Sequence, residues 1–513
     1  DITIIEQDSY QEQLQNAKSW TITNKDLEFY PTNLPQEPKS PPLVSALKTA
    51  IEENHASFQF PGHNLGHKAP FSLTQLIGKS PFHYDVGEIK DQFTPQSPII
   101  DAEKQAAEVF GASNTWFILG GSTCGVLAAI MGTCSPGDTL ILPRNCHISV
   151  ISALVLCGAI PKYVFPDYDS HWDFATSVEK AIRELELEGK QPAAVLITSP
   201  TYNGICSNVT EISKLCHSCN IPLIVDEAHG AHFSFHPQLP ISSLKQGADV
   251  VVQSTHKVLL SLTQSSMLHT SQNSLVQKQN ISRCLQTLQS TSPSFLLLAS
   301  LDATTAELKE NPEAVFDNAI SLATEAKYAL KKIPGISVLE YPDMDPLRVT
   351  VGVHDLGVSG YEAKDLLFED QKVVPVLTGS RSITFLFTPG SCRDHVIRLI
   401  AGFRNLASSR LLHKSIKTES HKHVNLRPFV EIDMRLTPRE AFFARKKVVD
   451  IKDTLGKICG ELICPYPPGI PVMIPGEVIS EKALDILLQA KACGARITGA
   501  SDPLLSSIVV CDV

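Results

Sequence analysis

A chain of 513 residues with 43% hydrophobic and 19% charged content has the make-up of a globular enzyme, long enough to bury a large core in roughly two to four domains. Its 54 acidic against 44 basic residues leave a net charge of -10, which argues against a general nucleic-acid surface and against adhesion to anionic membranes. No apolar run approaches the ~18 residues of a membrane span, and 13 scattered cysteines do not form the framework of a small secreted scaffold.

The start, Asp1-Ile2-Thr3-Ile4, carries no initiator Met, basic end or signal-peptide core. It fits either an artificial boundary or an end left by removal of a targeting segment. The expected compartment is therefore the cytoplasm or, with a transit peptide removed, a plastid or other organelle stroma. A proline-rich stretch, Pro31 to Pro42, leads into a predicted helix, Leu43 to Glu53. From there strand-like apolar runs alternate with helical patterns. Helices are predicted over Asp101 to Phe110, Ser122 to Gly132, Ser149 to Cys157 and Ser177 to Leu187. Strands are predicted over Thr139 to Leu142, Ala159 to Val164, Ala193 to Ile197, Ile221 to Val225 and Ala248 to Val252. That alternation is the signature of βαβ units: an α/β fold with a mostly parallel central sheet and helices on both faces.

Beyond about residue 310 the pattern changes. A helix over Pro312 to Lys332 precedes strand candidates at Ser337 to Tyr341, Arg348 to Val353, Lys372 to Leu377 and Ser382 to Phe387, an α+β arrangement. The basic stretch Ser408 to Arg427 reads as a linker or solvated helix end. Leu436-Thr437-Pro438-Arg439-Glu440 has the composition of a helix start. The predicted division is an N-terminal arm (1–55), a large domain (56–309), a smaller α+β domain (310–407), a linker (408–427) and a C-terminal α+β domain (428–513).

The chemistry gathers at strand ends. Asp226 follows one apolar run, and Ser254-Thr255-His256-Lys257 follows the next. In open α/β sheets ligands bind outside the carboxyl ends of the strands. An acid and a lysine there match pyridoxal 5'-phosphate, which needs an amine for its aldehyde and a carboxylate for its ring nitrogen. Gly121, Ser122 and Thr123 open a helical run and suit a phosphate at a helix N-terminus, with Ser254 and His256 as further phosphate contacts. His147, at a helix start, is suited to stack on a flat ring, and Ala228 is small enough to pack against its other face. Cys216-His217-Ser218-Cys219 has metal spacing but no second ligand pair; it is read as structural, and no metal is expected.

The order of motifs makes the chain resemble the bacterial-type ornithine/lysine/arginine decarboxylases of the aspartate-aminotransferase fold (fold type I), in a short form without an N-terminal wing domain. Phe60-Pro61-Gly62-His63, Gly121-Ser122-Thr123, Arg144-Asn145-Cys146-His147, Asp226 to His232, Ser254 to Lys257, Ser290-Thr291-Ser292-Pro293, Pro465 to Pro471 and Pro475-Gly476-Glu477 fall in register. The resemblance spans about residue 40 to the C-terminus. It implies that Lys257 carries the cofactor, that Asp226 pairs with the ring nitrogen and that His147 stacks. It also implies that Lys257 or His256 returns a proton to Cα. Thr291 would reach the neighbouring subunit's site, implying a homodimer with shared active sites, or a higher homo-oligomer.

The implied reaction is α-decarboxylation of a basic amino acid to agmatine, cadaverine or putrescine, with arginine placed slightly ahead of lysine and ornithine. Glu88 and Asp91 are the candidate carboxylates for the substrate's distal cation. The chain departs from the family at Asn64 and in a shortened acidic stretch over 85–93. Two other readings stay open here. One is a fold-type-I aminotransferase or lyase with Arg381 gripping the α-carboxylate; the other is a catalytically silent regulatory homologue.

Overall fold

The computed structural model describes residues 40–513 apart from 54–55, 91–93, 95, 170–173, 176–190, 414–431, 467–468 and 493. The helix predicted over Ser177 to Leu187 and most of the predicted linker lie outside the described residues.

Among the described residues, seven strands form the central sheet: β1 (Asn114–Ile118), β2 (Thr139–Pro143), β3 (Ile160–Val164), β4 (Ala194–Thr198), β5 (Leu223–Asp226), β6 (Val250–Gln253) and β7 (Ser266–Thr270). Their order is β1-β7-β6-β5-β4-β2-β3. The neighbours β3, β2, β4, β5 and β6 run parallel, and β7 lies antiparallel to both β6 and β1.

The sequence of the inner strands explains their place. Leu223-Ile224-Val225-Asp226 is buried throughout, and successive side chains leave opposite faces of the sheet. Leu140, Leu142, Leu196, Ile224, Val250 and Val252 join a core with α3 (Gly121–Met131) and α4 (Ile148–Cys157). Ile141, Val195, Ile197, Val225 and Val251 face the opposite core with α5 (Val209–Ser218). Each fully buried aliphatic chain contributes about 1.5–3 kcal/mol, so both faces must be covered. A Cβ on Gly125 would stand 2.7 Å from Val252 Cγ1; α3 lies against β6 that closely because this position has no side chain.

Helix ends follow local chemistry. Ser97 caps α2 (Pro98–Phe110) by accepting from Ile99 N at 3.2 Å, and left-handed Gly111 closes it. Asp302, on α7 (Phe295–Glu310), accepts through Oδ2 from Leu43 N at 2.7 Å and Val44 N at 3.3 Å. That caps the first turn of α1 (Pro42–Glu52), where Pro41 offers no side-chain acceptor.

A second, antiparallel sheet has the order β8-β9-β11-β10, from β8 (Ser337–Val338), β9 (Arg348–Gly352), β10 (Leu377–Thr378) and β11 (Ser382–Leu386). Its apolar side chains share one core with α8 (Pro312–Leu330), α9 (Gly360–Gln371) and α10 (Arg393–His413). The strand expected over Lys372 to Leu377 is mostly absent. Lys372 is left-handed at the end of α9, Val374 is exposed, and Pro375 has no N–H for a ladder. The strand expected over Ser337 to Tyr341 is likewise reduced to Ser337–Val338.

In the C-terminal part, Thr437 and Glu440 form a complete capping box at α11 (Pro438–Phe443). Two two-stranded sheets follow, Lys446–Asp450 with Ser507–Cys511 and Cys464–Tyr466 with Arg496–Thr498. Among the described residues no helix is long and apolar enough to cross a membrane.

Candidate active site

Parallel pairing of β4, β5 and β6 puts their ends side by side: Thr198 lies opposite Asp226, and Asp226 opposite Val252. Asp226 is buried, and its Oδ1 accepts from Ala228 N at 3.1 Å. Two residues beyond β6 the short helical turn α6 (Thr255–Val258) begins, and it carries Lys257. The Lys257 amine lies 3.4 Å from His229 Nε2. Burial holds that amine below the ordinary lysine value; Asp226 opposes the shift and Arg348 adds to it.

His147 is the N-cap of α4. Its Nδ1 accepts from Ser149 N at 3.2 Å and lies 2.8 Å from Ser149 Oγ. Burial lowers its imidazole value, with Asp226 opposing and Lys257 reinforcing, so ring, carboxylate and amine share one electrostatic neighbourhood. At the N-terminus of α3, Ser122 Oγ accepts from Ser254 Oγ at 2.6 Å, and Gly121 takes a φ of +72°. The two hydroxyls, 132 residues apart in the chain, therefore stand together. Thr123 is exposed on the same turn. His256 Nδ1 donates to Ser265 O at 2.8 Å, and burial keeps its ring below the ordinary histidine value.

The remaining expected residues are less closely gathered. Glu88 is exposed and Asp91 lies outside the described residues. Thr291 is exposed in the turn ahead of α7. A cation that acts on the Lys257 amine is Arg348. It is fully buried at the start of β9. Its Nη2 donates to His229 Nδ1 at 2.8 Å and its Nη1 to Tyr202 O at 3.4 Å. The Tyr202 ring lies 4.7 Å from that of His229. Sequence reasoning passed over His229, Tyr202 and Arg348. The Asp226 to His232 motif held one of them, but nothing local says that an arginine over a hundred residues later closes on it.

The donor set fits pyridoxal phosphate. A half-buried amine, a buried carboxylate and paired hydroxyls at a helix N-terminus meet at one sheet edge. Beside them Thr198 Oγ1 and Thr255 Oγ1 are buried without a hydrogen-bond partner among the described residues, a costly state unless a polar group comes in to meet them.

The family described as "Orn/Lys/Arg decarboxylase, major domain" matches residues 41–346, and its C-terminal domain matches 421–502. The chain belongs to the Orn/Lys/Arg decarboxylase family. It is similar to the arginine decarboxylase of Bacillus subtilis, with 33% identity over 91% of this chain and 97% of that one. Similarity to the constitutive lysine decarboxylase of Escherichia coli is lower, 23% over 90% of this chain and 78% of that one. In fold it resembles the Francisella novicida lysine decarboxylase, with a TM-score of 0.76 at 21% identity, covering 92% of this chain and 81% of that one. The decarboxylase is thus a fold-type-I, pyridoxal phosphate-dependent enzyme acting on basic amino acids.

Proposed function

We propose that arginine is the substrate, that the product is agmatine, and that the residues at the ends of β5 and β6 perform the reaction. The observation that carries the assignment of roles is the shared neighbourhood of Lys257, Asp226 and His147 at one sheet edge. When bound, pyridoxal phosphate supplies the sink for the electron pair left as the Cα–carboxylate bond breaks. Lys257 would hold the cofactor's aldehyde carbon, its lowered basicity favouring the nucleophilic amine. Asp226 would face the ring nitrogen, and His147 and Ala228 would lie on its two faces. Gly121, Ser122, Thr123, Ser254 and His256 would hold the phosphate. Lys257 or His256 is the group from which Cα takes its proton.

Arginine is favoured because the arginine decarboxylase is the most similar in sequence of the three enzymes named. Glu88 and Asp91 are proposed for the substrate's distal cation, and Thr291 for a partner subunit's site in a homodimer or higher homo-oligomer. Diamine or polyamine synthesis is the metabolic setting this implies. The relatives named are bacterial, which lends no support to the plastid expectation, and the cytoplasm is the proposed compartment.

Carbon dioxide release from arginine, lysine and ornithine tests the substrate. The highest kcat/KM is expected with arginine, and a higher value with either of the others overturns that choice. Lys257→Ala is expected to abolish turnover and covalent cofactor retention; an active variant would sink the assignment of roles.

A further inference from the structure

The direction of two hydrogen bonds can be read at His229. A guanidinium only donates, so the 2.8 Å contact from Arg348 Nη2 makes His229 Nδ1 an acceptor. A neutral imidazole that accepts at Nδ1 carries its proton on Nε2. Nε2 lies 3.4 Å from the Lys257 amine, and an Nε2–H can donate there only to a nitrogen with a free lone pair.

Arg348 is itself held from behind. Its Nε lies 3.9 Å from Asp345 Oδ2, which also meets His232 Nε2 at 3.0 Å. Arg348, Asp345 and His232 are all fully buried, so the ion pair places the guanidinium's charge beside the Asp345 carboxylate, although its Nε makes no hydrogen bond among the described residues.

We propose that Arg348 is a positioning residue that holds His229 as its Nε2–H tautomer, so that the ring donates to the Lys257 amine and keeps it unprotonated for the cofactor. The inference rests on Lys257 being the cofactor lysine.

The charged and titratable groups facing Lys257 are Asp226 after β5, His147 at the start of α4, His229, His256 on its own turn, and Arg348 on β9. Of these, Asp226 alone favours the protonated amine. Burial of His229 and the Arg348 guanidinium beside it disfavour an imidazolium, which leaves the neutral ring whose tautomer Arg348 selects.

Neutron diffraction from the deuterated full chain reads the tautomer directly, without a variant. Deuterium on His229 Nε2 with none on Nδ1 is expected; deuterium on Nδ1 overturns the proposal. A second measurement follows Lys257 in the full chain stripped of cofactor, as the pH dependence of its acylation, read by mass spectrometry of the Lys257 peptide. His229→Phe removes the donor and leaves the Arg348 charge in place. It is expected to move the midpoint up by about one pH unit, whereas an unchanged midpoint shows that the charge alone governs the amine and overturns the relay. Borohydride reduction of the holoenzyme separates the two levels. Pyridoxyl label on Lys257 with the wrong tautomer defeats only this inference, and label on another lysine defeats the site assignment with it.

Discussion

Arg144 and Glu477, 333 residues apart in the chain, form a two-pronged ion pair closed off from solvent. Nε donates to Oε1 at 2.9 Å and Nη2 to Oε2 at 2.8 Å, with 1% and 8% of the two side chains exposed. The same guanidinium donates to Pro471 O at 2.7 Å and Val472 O at 3.1 Å. The end of β2, three residues from His147, is thereby clamped to the proline- and glycine-rich C-terminal segment.

Removing one partner of a buried pair leaves the other charge unpaired, at a cost of about 3–5 kcal/mol. Glu477→Ala is therefore expected to lower unfolding stability by that amount in denaturant titration. A loss under about 1 kcal/mol, the range of exposed pairs, would mean that the clamp contributes little.

Ser254 Oγ and Ser122 Oγ, 2.6 Å apart, stand where a phosphate would need hydroxyls. Ser254→Ala is expected to weaken pyridoxal phosphate binding about tenfold, the equivalent of one good hydrogen bond. Fluorescence titration of the cofactor-free chain measures it. Because the two hydroxyls share one bond, Ser122→Ala added to Ser254→Ala should cost less than the two single losses combined.

At Gly204, φ is +90° and an added Cβ would stand 2.6 Å from Arg348 Cγ. Gly204→Ala is expected to cost about 1–3 kcal/mol through overpacking. It should also shift Arg348 away from His229, so carbon dioxide release is expected to fall at temperatures where the variant remains fully folded. Unchanged turnover in the folded variant would show that the Arg348 position is not needed.

Burial pushes the Asp302 carboxyl up to about 6, against the pull of the Leu43 and Val44 N–H groups. The unfolded value is about 3.9, so the raised value favours folding fully below that pH. The contribution is lost as pH rises through about 6, when the buried carboxyl must ionise. Asp302→Asn keeps an acceptor for α1 and cannot ionise. Its Tm relative to wild type is expected to improve between about pH 4 and pH 7.5, and thermal melts at both values check it.

The parts of the fold that were legible are those whose side chains lie in apolar surroundings. The runs ending at Asp226 and before Lys257 are buried on both sides of the sheet, and an uninterrupted apolar run is the mark of that environment. β1 and β7 gave no such mark, because their polar residues are matched across the sheet. Thr115 Oγ1 lies 2.8 Å from His269 Nδ1, and His269 Nε2 lies 3.0 Å from Gln253 Oε1. Each polar residue suggests exposure when read alone, and all three are buried.

The same division holds at the active site. The sequence by itself proposed the lysine, the acid, the loop at Gly121 to Thr123 and His147 as one candidate site, because a parallel sheet brings successive strand ends to one edge whatever the loops between them do. Only the tertiary structure decided that Arg348 comes to His229 and acts on Lys257, and that Arg144 reaches Glu477. Those choices depend on which distant side chains are left to satisfy one another once water is excluded, and a buried guanidinium must find its acceptors wherever the fold has placed them.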